Sequence, residues 1–169
     1  MLKAFSALDV KMKKPGKILL GGGGAMVLAY DFPLATADLD GIFYQSEISE
    51  KDLQDEIHEI AVTLNIPKDW LNPYFSTFLY TLPKDYDSRL RQVYQGKKLT
   101  VQALGLEDLL ILKCFAGREK DIGHARSLLK KGAKTSFVEE HILRLKASNI
   151  PKSGEALLFL QDLLDELGM

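Results

Sequence analysis

The residues of this chain best suited to chemistry are Asp38-Leu39-Asp40 and the four consecutive glycines at 21–24. In an extended strand, side chains two apart share a face, so Asp38 and Asp40 would stand together while Leu39 enters the core. Adjacent carboxylates repel unless a proton or cation lies between them, and Mg²⁺ accepts such a pair together with a substrate phosphate. Upstream, the apolar run Ile18-Leu19-Leu20 delivers the chain into the glycines, whose bare backbone N–H groups a phosphate can approach closely. A helix starting at Ala25 would add the favourable end of its dipole to the same place. The combination reads as a site for a metal-bound nucleotide.

Two better-known glycine motifs do not apply. A P-loop ends in Gly-Lys-Ser/Thr, whereas Gly24 precedes Ala25-Met26; a dinucleotide fingerprint begun at Gly21 needs a small residue where Met26 stands. A glycine run alone is equally a flexible turn, and an Asp-Leu-Asp triplet alone is commonly a solvated one. Leu39 and Ile42-Phe43 give this triplet strand character, and the Thr36 hydroxyl is placed to orient the loop before Asp38. A third constellation spans residues 106–129. Within it Lys113 interrupts an apolar run, where it either snorkels or reaches an anion, and Arg118 and Asp121 are spaced to pair on a helix. His58, His124 and His141 have no base-orienter spacing and read as surface or structural residues.

Helices and strands must hold these groups in place. Leu2, Phe5 and Leu8 predict a short first helix, stopped by Pro15-Gly16. A buried strand over 17–20, a helix over 25–30 and a strand over 38–44 follow. Ser49 and Asp52 form a capping-box-like start for a helix carrying Leu53, Ile57, Ile60, Ala61 and Leu64 on one face. Residues 68–95 lack periodicity and hold most of the aromatics, which either pack a loop over the sheet or line a pocket; packing is the commoner outcome. The alternation in 99–104 predicts another strand. Helices follow over 106–116, 119–130, 136–147 (with Ser136 and Glu139 as a cap) and 154–167. The expected fold is α+β, a small mixed sheet flanked by helices over residues 1–105, then a helical C-terminal region over 106–169 packed on that core.

Composition narrows the class. The chain has 169 residues, 46% of them hydrophobic, enough for one ordinary core, and its net charge of −1 gives no argument for a polyanion or a membrane surface. Its single cysteine, Cys114, lies in an apolar run and reads as a small buried hydrophobe, in keeping with a reducing compartment. No membrane span or signal segment is evident, which points to the cytoplasm.

The glycine turn, helix and T-x-D-x-D strand together resemble the DNA polymerase β-like (minimal) nucleotidyltransferase superfamily. GGGGA with TADLD, the tetrad Asp69-Trp70-Leu71-Asn72 and LEDLLILKCFAGREKD resemble more specifically the small bacterial DUF6036-type and AbiEii-type nucleotidyltransferase-like proteins, some of which are toxins of toxin–antitoxin pairs. The resemblance covers roughly residues 1–130. It implies that Gly22, Gly23, Gly24 and Thr36 hold the nucleotide, that Asp38 and Asp40 ligate Mg²⁺ or Mn²⁺, and that Lys113 approaches the phosphates or the carboxylates. Arg118 would assist at the nucleotide, with Asp121 in support. The implied activity is transfer of an NMP group from an NTP to a protein or RNA acceptor, with an antitoxin protein as partner where the chain is a toxin. Two departures favour a rival reading, a catalytically impaired module that binds nucleotide or protein. Leu34 stands where the family has arginine, and the strand at 99–104 carries Gln102 where a third acid is common. Glu107 and Asp108 are the alternative acids.

Overall fold

Short, strongly apolar segments build the sheet. A computed structural model describes residues 1–33, 36, 38–49 and 51–169. Strands β1 (Gly16–Leu20), β2 (Leu39–Phe43), β3 (Leu71–Asn72), β4 (Arg91–Gln95) and β5 (Leu99–Ala103) form one mixed sheet in the order β3-β2-β1-β5-β4. The central strand β1 runs antiparallel to β2, with Leu19 opposite Ile42, and parallel to β5, with Leu19 opposite Gln102. Its Ile18, Leu19 and Leu20 are wholly buried, as a central strand covered on both faces demands. This is an α+β fold with a helical C-terminal half.

The chain divides into two compact units: Met1–Ser76 with Leu90–Leu104, and Thr77–Arg89 with Gly105–Met169. The first holds the sheet with α1 (Leu2–Lys11), α2 (Gly22–Tyr30) and α3 (Gln54–Leu64). In α1, Phe5 and Leu8 are buried, whereas Leu2 at the helix start stays exposed. Phe5 meets the rings of Trp70 and Tyr94 at centroid distances of 5.9 and 6.1 Å. Trp70 is fully buried and its indole Nε1 donates to Ile57 O at 3.1 Å, so it ties the chain before β3 to α3. At the entrance to α3, Ser49 N and Oγ both donate to Asp52 Oδ2, at 2.8 and 2.7 Å, and a 3₁₀ turn over Lys51–Leu53 intervenes before the helix proper.

Asp9 at the end of α1 accepts from three backbone N–H groups of the β4–β5 turn: Lys98 and Leu99 at 2.7 Å and Lys97 at 3.1 Å. Burial pushes the Asp9 carboxyl up, but these donors outweigh it and hold it below its ordinary value.

In the second unit, α4 (Leu106–Ala116) is predominantly apolar and is buried on every side from Asp108 through Phe115. Such a helix must be surrounded, and α5 (Glu119–Lys130), α6 (Thr135–Ala147) and α7 (Ser153–Leu167) pack against it. Residues 77–89 join this unit through polar anchors. The Arg89 guanidinium grips the buried Asp108 carboxylate with Nε on Oδ2 at 3.0 Å and Nη2 on Oδ1 at 2.8 Å, and lies 4.8 Å from the Phe137 ring centre. His141 Nε2 donates to Thr81 O at 2.8 Å.

Several expectations change. Helix α2 begins at Gly22 instead of Ala25, because the glycines form its first turn instead of a free loop. Strands β3 and β4 escape the sequence pattern: β3 has two residues, and β4 is a polar edge strand whose alternation is broken by an irregularity between Gln92 and Tyr94. Helix α6 starts at Thr135 with no side-chain cap bond, so Ser136 and Glu139 do not cap it. Among the described residues, no helix is long and apolar enough to cross a membrane.

Candidate active site

The glycine turn and the acidic strand meet in the first unit. Gly21 N donates to Asp40 O at 2.8 Å, which closes the end of the β1–β2 ladder. Gly22 has φ of +59°, a left-handed value that side chains resist, and a Cβ there would land on the Asp40 carboxylate. Asp40 therefore sits against the first turn of α2, where free amides and the helix dipole favour negative charge. The other glycines serve close packing. A Cβ at Gly21 would come within 2.8 Å of the Phe75 ring, and one at Gly24 would overlap the Leu39 side chain. Gly23 is half-buried.

The second acid is placed by Asn72. Strands β2 and β3 pair in parallel with Asp40 beside Asn72, so the two side chains share a face. The buried Asn72 extends Nδ2 to Asp38 Oδ2 at 3.3 Å, and its Oδ1 accepts from Tyr74 N at 3.2 Å. Asp38 thus lies on the Asp40 side of the sheet, exposed, while Leu39 between them is wholly buried. Thr36 Oγ1 donates to Asp38 O at 2.6 Å and to its Oδ1 at 3.3 Å, shaping the approach to the strand. Leu34 lies outside the described residues.

The donor set suits a divalent cation that shares its ligands with a phosphate. Asp38 and Asp40 supply hard oxygens on one face, and Mg²⁺ commonly takes one or two carboxylates alongside substrate phosphates. Among the described residues there is no group of three or more His, Cys, Asp or Glu suited to an all-protein metal cage. Along the same face, β5 offers Thr100 and Gln102. Gln102 Oε1 accepts a hydrogen bond from the Tyr44 hydroxyl, so β5 carries an amide, bound by the phenol that follows β2, where the resemblance leads to a third acid. The alternative acids belong to the helical unit: Asp108 is held by Arg89, and Glu107 Oε1 accepts from Lys134 N at 3.2 Å.

Lys113, Arg118 and Asp121 form a cluster within the helical unit. Asp121 is wholly buried and receives Lys113 Nζ on Oδ1 at 2.8 Å and Arg118 Nε on Oδ2 at 2.6 Å. Burial pushes the Asp121 carboxyl up, but the hydrogen bonds and charges of Arg118 and Lys113 prevail and hold it below its ordinary value. Lys113 is itself buried, and Arg118 remains half exposed.

A cleft adjoins Asn72 in the first unit. This cleft of about 250 Å³ has Ile57, Leu71 and Asn72 at its base and His58, Lys68 and Tyr74 around its rim. Asn72 is the residue that motif reading of the acids passes over. Its only sequence signal is the Asp69-Trp70-Leu71-Asn72 tetrad, and its role depends on β3 pairing beside β2.

A mixed sheet whose first strand turns through glycine into a helix, and whose next strand has one acid within it and another just before it, is the framework of a nucleotidyltransferase. The chain belongs to the family described as nucleotidyltransferase of unknown function (DUF6036), whose model matches residues 2–131. No curated protein and no solved structure matches the chain.

Proposed function

We propose that this protein is a Mg²⁺- or Mn²⁺-dependent nucleotidyltransferase that moves an NMP group from an NTP to a hydroxyl of a protein or RNA acceptor. The observation that carries this reading is the meeting of Asp40 with Gly22 while Asn72 holds Asp38 on the same face. The amides at the start of α2 would bind phosphate oxygens, and Asp38 and Asp40 would hold the cation. A divalent cation bound there supplies charge neutralisation and eases ionisation of the acceptor hydroxyl. In the transfer, the acceptor oxygen forms a bond to the α-phosphorus as the bond to the bridging oxygen of the β-phosphate breaks. Pyrophosphate leaves, and the hydroxyl proton passes to solvent. Asn72 and Thr36 act as positioning residues for Asp38, each through a hydrogen bond to its carboxylate.

Incubation of the purified chain with labelled NTPs, Mg²⁺ and cell extract tests the reading: label should enter a macromolecule with the wild type and not with Asp38→Ala. As a toxin, the protein would arrest growth when expressed without its antitoxin, and Asp38→Ala would relieve the arrest. Gln102, bound by Tyr44, on the strand where a third acid is common favours the rival, a binding module of the same fold. Calorimetry separates the two, because NTP binding without metal and without turnover belongs to the rival alone.

A further inference from the structure

We propose that the cleft between α3 and β3 takes a nucleobase, that of the NTP itself. The inference rests on the nucleotidyl-transfer reading and adds to it the place where the base is held. The cleft is joined to the acid pair by one side chain: Asn72 contributes to its base while its amide holds Asp38. Across the sheet, the glycine turn at the end of β1, the acids of β2 and the cleft beyond β3 follow in order. In the proposed pose, a triphosphate on the amides of α2 and beside Asp40 runs with its nucleoside end toward Asn72.

The lining suits a flat heteroaromatic ring. Ile57 and Leu71, each almost fully buried, make an apolar base, and Tyr74 stands at the rim with 69% of its surface exposed. An exposed tyrosine ring is a platform on which any base can stack. His58 and Lys68 provide polar groups for its edge. A volume of about 250 Å³ is small beside the roughly 300–1,000 Å³ of sites for drug-sized ligands, which fits a base better than a folded peptide segment. The backbone of the platform is fixed, since Tyr74 N donates to Asn72 Oδ1 at 3.2 Å, a bond that survives any substitution of the ring.

The test is calorimetric titration of the intact chain in Mg²⁺ with ATP, UTP, inorganic tripolyphosphate and a short oligoribonucleotide. With the wild type, both nucleotides should bind more tightly than tripolyphosphate. Tyr74→Ala should weaken nucleotide binding roughly tenfold and leave tripolyphosphate unchanged, while Tyr74→Phe should keep wild-type affinities. Nucleotide affinities untouched by Tyr74→Ala would overturn the assignment and leave the transfer reading standing. If instead Tyr74→Ala weakens only a short oligoribonucleotide, the assignment to the NTP base is overturned and the cleft serves an RNA acceptor. Failure of every triphosphate to bind wild-type protein would overturn both the assignment and the transfer reading.

Discussion

The carboxylate of Asp40 lies where a side chain at residue 22 would have to be, so Gly22 and Asp40 occupy one position between them. The glycine is thereby required twice, by its left-handed backbone and by the acid beside it. Gly22→Ala should lose at least about 1–2 kcal/mol of stability through the backbone conformation alone, and it should displace Asp40. Thermal denaturation should show a lowered Tm, and nucleotide binding should fall along with it.

Asn72 restrains Asp38 through one hydrogen bond from its side-chain amide, and removing it leaves the acid in place with only Thr36 to orient its carboxylate. Asn72→Ala should reduce transfer activity by roughly 10–100-fold, the usual cost of removing a partner that orients a metal ligand. The loss should be partly recovered at raised Mn²⁺ concentration. An activity equal to wild type at every metal concentration would remove Asn72 from the machinery.

The ion cluster of the helical unit is structural in its energetics. Asp121→Ala would leave Lys113 buried without its carboxylate, and breaking a buried pair in this way costs roughly 3–5 kcal/mol. Chemical denaturation should show a lower midpoint with an unchanged slope. Lys113→Met combined with Asp121→Leu should recover much of the loss, because an apolar pair leaves no charge to solvate.

Acid stability follows from the same kind of group. Asp9 and Asp121 both have folded pKa values below the ordinary one, so each contributes stability above the unfolded carboxylate value of about 3.9. That contribution is lost as pH falls through the lower folded values. Thermal stability should stay level from pH 7 to about pH 5 as far as these two groups are concerned, and decline steeply below about pH 4. Asp9→Asn should be less stable at neutral pH, because the charged acceptor for Lys97, Lys98 and Leu99 is gone, and its acid limb should be shallower.

What could be read along the chain was whatever depends on near neighbours. The turn at the glycines and the strand at Leu39 are properties of consecutive residues. So are the apolar run of α4 and the spacing that joins Arg118 to Asp121. Even there α2 begins at Gly22, three residues before the expected Ala25, because glycine discourages helix in isolation while the close approach of Leu39 to Gly24 rewards it in the fold.

Beyond these, the α+β class, the family and the acid pair beside its glycine turn are legible in the chain, since alternation and local conformational demand are written residue by residue. Tertiary structure alone decided that Asn72 holds Asp38, that Tyr44 engages Gln102 and that Arg89 draws residues 77–89 to the helical unit. Each of those contacts joins residues that are distant in the chain and close only after folding. The strand pairing that creates the first of them involves a two-residue β3, which is too short to leave a period of its own.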